Sequence, residues 1–172
     1  MSKIKFFSLV TLGMLLLGAA VYGWVTASER KEVLYIGLGG PMTGPAKDLG
    51  LSMRRGVELA IKEINQSNIL KKYELKLAVA DDGSSANQSV RAEQAARQLA
   101  AVPNMTAVVG HYYSVPSIDA GDIYRMHSIP FVAPTATLPA LTAGNDWAFS
   151  VMPDDYYQSL FLANYVLHGL NR

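Results

Sequence analysis

The sequence contains no cysteine, and this absence removes several classes of chemistry. Disulfide bonds, thiolate metal sites and thiol nucleophiles are excluded, and so is the usual lipid attachment point of a bacterial lipoprotein. An excess of charge of one sign is lacking too, since the net charge of the 172 residues is +1. Because the chain also has no basic stripe, nothing favours nucleic acid as a partner.

Phosphate-binding loops and assembled catalytic groups are also missing. The stretch GLGGPMTG at residues 37–44 has Met42 where a dinucleotide fingerprint needs its third glycine, and no G-K-[ST] occurs. The three histidines are scattered and lack metal-ligand spacing, so we interpret them as hydrogen-bonded structural residues. No G-x-S-x-G surrounds Ser114. We therefore expect a protein without cofactor, metal or catalytic activity.

The N-terminus has the layout of a secretory signal. Two lysines in MSKIK precede residues 6–28, which carry no charge. The small residues at 25–27 offer a signal peptidase a cleavage site before Ser28. The apolar run is also long enough to span a bilayer, so residues 1–28 are predicted to be either a signal peptide or a membrane anchor. Either way, the remainder is expected in the periplasm or another extracytoplasmic space.

Strand and helix patterns alternate along the rest of the chain. Short apolar runs predict strands at residues 33–39, 73–80, 106–110, 129–133 and 147–152. Amphipathic or capped segments predict helices at residues 49–65, 85–101 and 115–127, and a last helix from residue 153 onward. This alternation predicts an α/β fold with a parallel sheet. Ligands of such sheets bind at the loops after the carboxyl ends of the strands.

The polar residues of these loops allow more than one interpretation. Ser114 and Thr137 either cap helices or, with the N–H groups of a helix start, form a small pocket for a carboxylate. The pair Asp81 and Asp82 has the residue type for acid–base or metal chemistry, but we interpret it as turn residues stabilised by the positive end of the next helix. Composition alone leaves the Ser114 alternatives open.

A set of stretches, in order, carries a resemblance to a known family. They are IGLGGPMTGPAKDLG, MRRGVELAIKEIN, AVADDGSSANQSV, VVGHYYSVPS, IYRMHSIPFVAPTATLPALT and FSVMPDDYYQS. With these stretches the sequence resembles the periplasmic substrate-binding proteins of the leucine/isoleucine/valine and amide importers, which have the type I periplasmic-binding fold. The resemblance covers nearly everything after the N-terminal segment.

The resemblance implies two α/β lobes that close on an amino acid or a related small amide without catalysis. In the family, the first lobe holds the α-carboxylate and α-amino groups of the ligand. Position by position, the resemblance implies that Ser114 does part of this here. The backbone and hydroxyl groups of Thr135, Ala136 and Thr137 are implied to do the rest.

The resemblance also points to the ligand's side chain. Leu49 stands where many relatives place a large aromatic residue against that side chain, which is a departure from the family pattern. Tyr112 and Tyr113 are alternative sources of aromatic surface, although a tyrosine at a strand end is as often a half-buried packing residue.

The resemblance divides the chain into parts. Residues 33–148 are expected to form the N-terminal ligand-binding lobe, which is incomplete because the family's late returning elements are missing. Residues 149–172 are expected to be a hinge strand and the first helix of a second lobe that the sequence does not include. That last helix, whose core candidates are Leu160, Phe161, Tyr165 and Val166, is then expected to expose an apolar face.

Two functions fit the resemblance. The first is a solute-binding protein that delivers its ligand to the membrane permease of an ABC importer. The alternative is the ligand-sensing ectodomain of a signalling receptor, anchored by its N-terminal segment. Cleavage of residues 1–28 favours the importer, and retention of the anchor favours the sensor.

Overall fold

The computed structural model describes residues 14, 16–18, 31–83 and 88–170. Within these ranges it contains the strands β1 (Glu32–Gly40), β2 (Tyr73–Asp81), β3 (Met105–Val109), β4 (Phe131–Ala133) and β5 (Ala148–Ser150). They form one sheet in the order β2-β1-β3-β4-β5, and every neighbouring pair is parallel. The predicted parallel sheet is confirmed.

The helices are α1 (Lys47–Ser67), α2 (Gln88–Ala100), α3 (Ser114–Met126) and α4 (Asp155–Asn164). A short 3-10 turn, Pro139–Leu141, lies between β4 and β5, and a π turn, Tyr165–Gly169, continues α4. The predicted start of the second helix at residue 85 falls on residues 84–87, which lie outside the described residues.

The main core lies between the sheet and the pair α2 and α3. The alanines of α2 at 92, 95 and 96 are buried, and their small side chains let the helix lie close to the sheet. Val108 and Phe131 come from neighbouring strands and are fully buried under these helices. Val108 pairs in β1 with Gly37, where an added Cβ would lie 2.8 Å from the Val108 side chain. Every second residue of each strand thus points toward α2 and α3, because successive side chains of a strand point to opposite faces of the sheet.

Helix α1 covers part of the opposite face of the sheet. Ile36, next to Gly37 in β1, points to that face because successive strand residues alternate. An apolar cavity of about 270 Å³ separates the helix from the sheet, lined by Ile36, Gly56, Val57, Ala60, Ile61, Ile64, Leu75 and Val109. The predicted apolar face of α1 therefore does face the sheet, but it is only partly covered.

The structure contradicts the predicted core residues of the last helix. Leu160, Phe161, Tyr165 and Val166 are all exposed, with between 46% and 64% of each surface accessible. None of the described residues of α4 is buried, and the helix contacts chiefly the π turn that follows it. The expectation of an exposed apolar face is confirmed. The assignment of residues 149–172 to a hinge and a second lobe stays a prediction.

The predicted signal peptide or anchor lies outside the described residues, apart from Met14 and residues 16–18, which are helical. Among the residues that the structure describes, no helix has the length and apolar character needed to cross a bilayer.

Candidate functional site

The carboxyl ends of the strands meet at one edge of the sheet because all the strands are parallel. The loops that follow them therefore lie side by side at this edge. The loop after β3 carries Tyr112 and Tyr113, and the loop after β4 carries residues 134–138. Open parallel sheets bind their ligands at this edge.

Ser114 joins the loops after β3 and β4. Its Oγ accepts hydrogen bonds from the backbone N–H of Thr137 at 3.1 Å and of Leu138 at 3.4 Å. Among the described residues the hydroxyl hydrogen has no acceptor, so it can donate to a ligand, and a hydroxyl that accepts two bonds is a good donor to an anion. Ser114 is half-buried, so it can reach a ligand at the edge of the sheet.

Neither Ser114 nor Thr137 caps a helix, which corrects one of the two interpretations. Helix α3 begins at Ser114 itself, its N-cap is Tyr113, and that cap makes no side-chain hydrogen bond. The 3-10 turn near Thr137 has Leu138 as its N-cap, again without a side-chain bond. The Ser114 hydroxyl bonds across to another loop because Ser114 is already inside the first helical turn.

The residues after β4 form the second wall of the site. The Thr135 hydroxyl donates to the carbonyl of Tyr112, and the buried Ala136 accepts at its carbonyl from Ser150 Oγ at 3.2 Å. The carbonyl of Thr137 accepts from the backbone N–H of Asp155 at 2.8 Å. These bonds tie residues 135–137 to the loop after β3, to β5 and to the start of α4.

A cavity of about 220 Å³ lies beside this wall, at the carboxyl ends of β4 and β5. Its lining mixes hydroxyl, carboxylate and apolar side chains, which are Ala136, Thr137, Leu138, Leu141, Thr142, Ser150, Met152 and Asp154. The first turn of α3, where the earliest backbone N–H groups have no intrahelical partner, opens onto the same edge. The cavity thus offers hydrogen-bonding groups together with apolar surface, a mixture typical of sites for small molecules.

Leu49 and Tyr113 lie at the same edge of the sheet, but among the described residues no hydrogen bond or ring contact connects them. Leu49, in the first turn of α1, is 41% exposed, and Tyr113 is 38% exposed with its ring edge-on to Tyr112 at 4.9 Å between centroids. Among the described residues, no hydrogen bond or ring contact links Leu49 to the Ser114 loop. Both side chains are accessible to a ligand.

Asp81 fastens the loop after β1, a role that the sequence analysis missed. Its Oδ1 accepts from the backbone N–H of Met42 at 2.8 Å, of Thr43 at 3.2 Å and of Gly83 at 2.8 Å, and its Oδ2 accepts from the Thr43 hydroxyl. Burial raises the pKa of Asp81, but these hydrogen bonds outweigh it and the net pKa lies below the ordinary value of 3.8. The carboxylate is thus held by the loop after β1, by the N–H of Gly83 and by an ion pair with Arg91 of α2, whose Nη2 lies 3.8 Å from Oδ2.

Asp82 and His111 form a buried polar group with Tyr124. Asp82 Oδ2 lies 2.6 Å from His111 Nδ1, and His111 Nε2 lies 3.0 Å from the Tyr124 hydroxyl. The side chain of His111 is fully buried, so it cannot reach a substrate. The interpretation of His111 as a hydrogen-bonded structural residue is confirmed. The contact between Asp82 and His111 has one signal in the sequence, which is that each residue follows a predicted strand, and the two strands turn out to flank β1.

Comparison with known proteins agrees with this architecture. A family model described as periplasmic binding protein matches residues 33–171. The chain belongs to this family. The resemblance found in the sequence is thereby confirmed, together with its type I periplasmic-binding lobe.

Individual relatives of this chain are named as binding proteins for branched-chain amino acids. A Leu/Ile/Val-binding protein homolog of Brucella melitensis is 31% identical over 153 residues, which cover 88% of this chain and 40% of that protein. A leucine-, isoleucine-, valine-, threonine- and alanine-binding protein of Pseudomonas aeruginosa is 30% identical over 77% of this chain and 34% of its own length. The chain thus spans well under half the length of these relatives.

Solved structures show the same fold. The substrate-binding protein of a branched-chain amino acid transporter from Streptococcus pneumoniae, solved with isoleucine, superposes with a TM-score of 0.71 at 26% identity. The match covers 81% of this chain and 39% of that one. An ABC transporter substrate-binding protein from Desulfitobacterium hafniense, solved with leucine, gives a TM-score of 0.65 at 29% identity, over 78% of this chain and 38% of that one.

Proposed function

We propose that this chain is the ligand-binding lobe of an extracytoplasmic solute-binding protein that holds a branched-chain or similar small amino acid without catalysis. The observation that carries the proposal is the Ser114 hydroxyl, whose oxygen accepts hydrogen bonds from two backbone N–H groups of the neighbouring loop. Among the described residues its hydrogen has no acceptor, so it can donate to a ligand. A carboxylate is the acceptor that such a donor, beside a helix start, favours.

The relatives support the amino acid as ligand. The curated proteins described above are named for binding leucine, isoleucine and valine, and the solved ones hold isoleucine or leucine. Family membership also supports an extracytoplasmic location. The transporter names favour delivery to an ABC permease over the alternative of a ligand-sensing receptor domain.

Different residues of the site contact different parts of the ligand. Ser114 and the loop Thr135–Ala136–Thr137 bind the carboxylate and amino end. Tyr113 and Leu49 contact the side chain, because both are apolar and accessible at the same edge. The helix α4, which is exposed along its length, belongs to a second lobe that would close over the ligand.

The test is a titration of the isotope-labelled chain with L-leucine, monitored by amide NMR. Shifts at Ser114 and at residues 135–137 are the expected result. L-leucinamide, which has the same side chain and amino group but no carboxylate, is the matched control and is expected to give much smaller shifts. Equal shifts with both compounds would contradict carboxylate binding, and an absence of shifts with L-leucine would remove the proposal.

A further inference from the structure

The buried group Asp82, His111 and Tyr124 has no direct access to a ligand, yet it lies directly under the candidate site. Asp82 follows β2, His111 follows β3, and Tyr124 lies in α3. All three are nearly or completely buried. Their side chains therefore join two strand ends to the helix whose first residue is Ser114.

The hydrogen bonds of this group indicate where its protons lie. Burial, and the nearby charge of Asp82, raise the pKa of Tyr124, so its hydroxyl stays protonated. Among the described residues, that hydroxyl has one hydrogen-bond partner, His111 Nε2, and Nε2 is the acceptor if the hydroxyl donates its hydrogen to it. We assign the imidazole proton to Nδ1, from which it donates to Asp82 Oδ2.

The backbone around His111 has little freedom to move. An added Cβ at Gly39 would lie 2.6 Å from the imidazole, so the ring lies directly against β1. Gly110 has a φ of +137° and packs closely against β1. A Cβ added at Gly110 would lie only 2.1 Å from the carbonyl oxygen of Gly39. Ser117 Oγ donates to the carbonyls of His111 and Tyr113 at 3.1 and 2.8 Å. The turn that precedes Ser114 is thus held at both ends.

We propose that His111 is a positioning residue for the ligand site, fixed by Asp82 and Tyr124 so that Ser114 meets the amides of Thr137 and Leu138. The inference rests on the proposed function only in that the positioned site is one that binds a ligand. Its physical content is a link between the buried imidazole and the geometry of the Ser114 hydroxyl, which can be measured without any ligand.

The test uses Tyr124→Phe, which removes one hydroxyl and keeps the ring that packs on Phe131 at 5.3 Å between centroids. Nitrogen-15 spectra of the wild-type imidazole are expected to show protonated Nδ1 and bare Nε2. In Tyr124→Phe the preference for this tautomer is expected to weaken. Hydrogen exchange at the Thr137 and Leu138 amides is expected to quicken roughly two- to tenfold, the factor for the loss of about one net hydrogen bond.

The matched control is Asn145→Ala, which removes hydrogen bonds to Gly121 of the same helix and to Trp147 but leaves the imidazole untouched. It is expected to lower stability without quickening exchange at Thr137 and Leu138. Equal quickening in both variants would show a general loss of stability and overturn the proposal. A wild-type imidazole protonated on Nε2 would overturn it as well.

The proposed function can fail separately. If L-leucine produces no shifts but Tyr124→Phe still quickens exchange at the two amides, the positioning role stands and the ligand assignment is wrong. If L-leucine binds and Tyr124→Phe changes neither the tautomer nor the exchange, the positioning role is wrong and the ligand assignment stands.

Discussion

Ser114 makes its two hydrogen bonds within the protein even without a ligand, so it also contributes to stability. Ser114→Ala would leave the Thr137 and Leu138 amides without their acceptor. We expect the free energy of unfolding to fall by about 1 to 2 kcal/mol, the range for lost hydrogen bonds at a half-buried position. Urea denaturation measures this. Ser159→Ala, which alters an exposed serine of α4, is the control and is expected to change stability very little.

Asp81 gives a stability that depends on pH. Its pKa is lower in the folded state than in the unfolded chain, so its contribution is fully present above the unfolded value of about 3.9 and is lost as the pH falls through the folded pKa. Asp81→Asn is therefore expected to cost about 1 to 2 kcal/mol at pH 7.

This difference from the wild type is expected to shrink below pH 4, as the wild-type carboxyl itself becomes protonated. Denaturation series at several pH values measure it. Asp122→Asn, at an exposed carboxylate paired with Arg125, is the control. A cost that stays constant down to pH 2 would contradict the assigned role of the Asp81 charge.

Single residues differ in how far the sequence could place them. The type and loop position of Ser114 sufficed to single it out, but its partner could not be predicted, because the Thr137 amide lies 23 residues away along the chain. His111 was recognised as structural, whereas its bonds to Asp82 and Tyr124 depend on three elements meeting in space. Local patterns do not contain such tertiary contacts.

Among the described helices, α4 differs from the rest because none of its residues is buried. Phe161 is 64% exposed, whereas Phe131 of β4 is fully buried. We expect Phe161→Glu to leave the free energy of unfolding within about 0.5 kcal/mol of the wild type. Phe131→Ala is expected to cost about 3 to 5 kcal/mol, because it leaves a cavity in the core.

The exposed apolar residues of α4 also predict self-association. Light scattering after gel filtration is expected to show fewer oligomers for Phe161→Glu than for the wild type at equal concentration. A large loss of stability in Phe161→Glu would show instead that α4 packs on the lobe in solution.

The element order was predictable and the packing of the last helix was not. Apolar runs and helical spacing placed the strands and helices, since these patterns follow from local geometry. The same spacing marked Leu160 and Tyr165 as core residues, but periodicity shows only that a face is apolar, not that another layer covers it.

For the molecule as a whole, the proposed function means that this chain supplies one wall of a ligand site. Binding sites for small molecules normally enclose most of the ligand, and this chain spans only 34% and 40% of the two curated relatives described above. We expect the chain to bind L-leucine with a Kd on the order of 1 mM, which corresponds to roughly 4 kcal/mol. A submicromolar Kd would show that a second wall forms from this chain alone.

The most direct measurement is the Kd of L-leucine for the wild type, Ser114→Ala and Ser159→Ala under identical conditions. Hydrogen bonds to charged groups are worth about 1.5 to 3 kcal/mol, so Ser114→Ala is expected to weaken binding by roughly tenfold or more. Ser159→Ala is expected to keep the wild-type Kd. Equal affinities for the wild type and Ser114→Ala would contradict the central claim that this hydroxyl holds the carboxylate of the ligand.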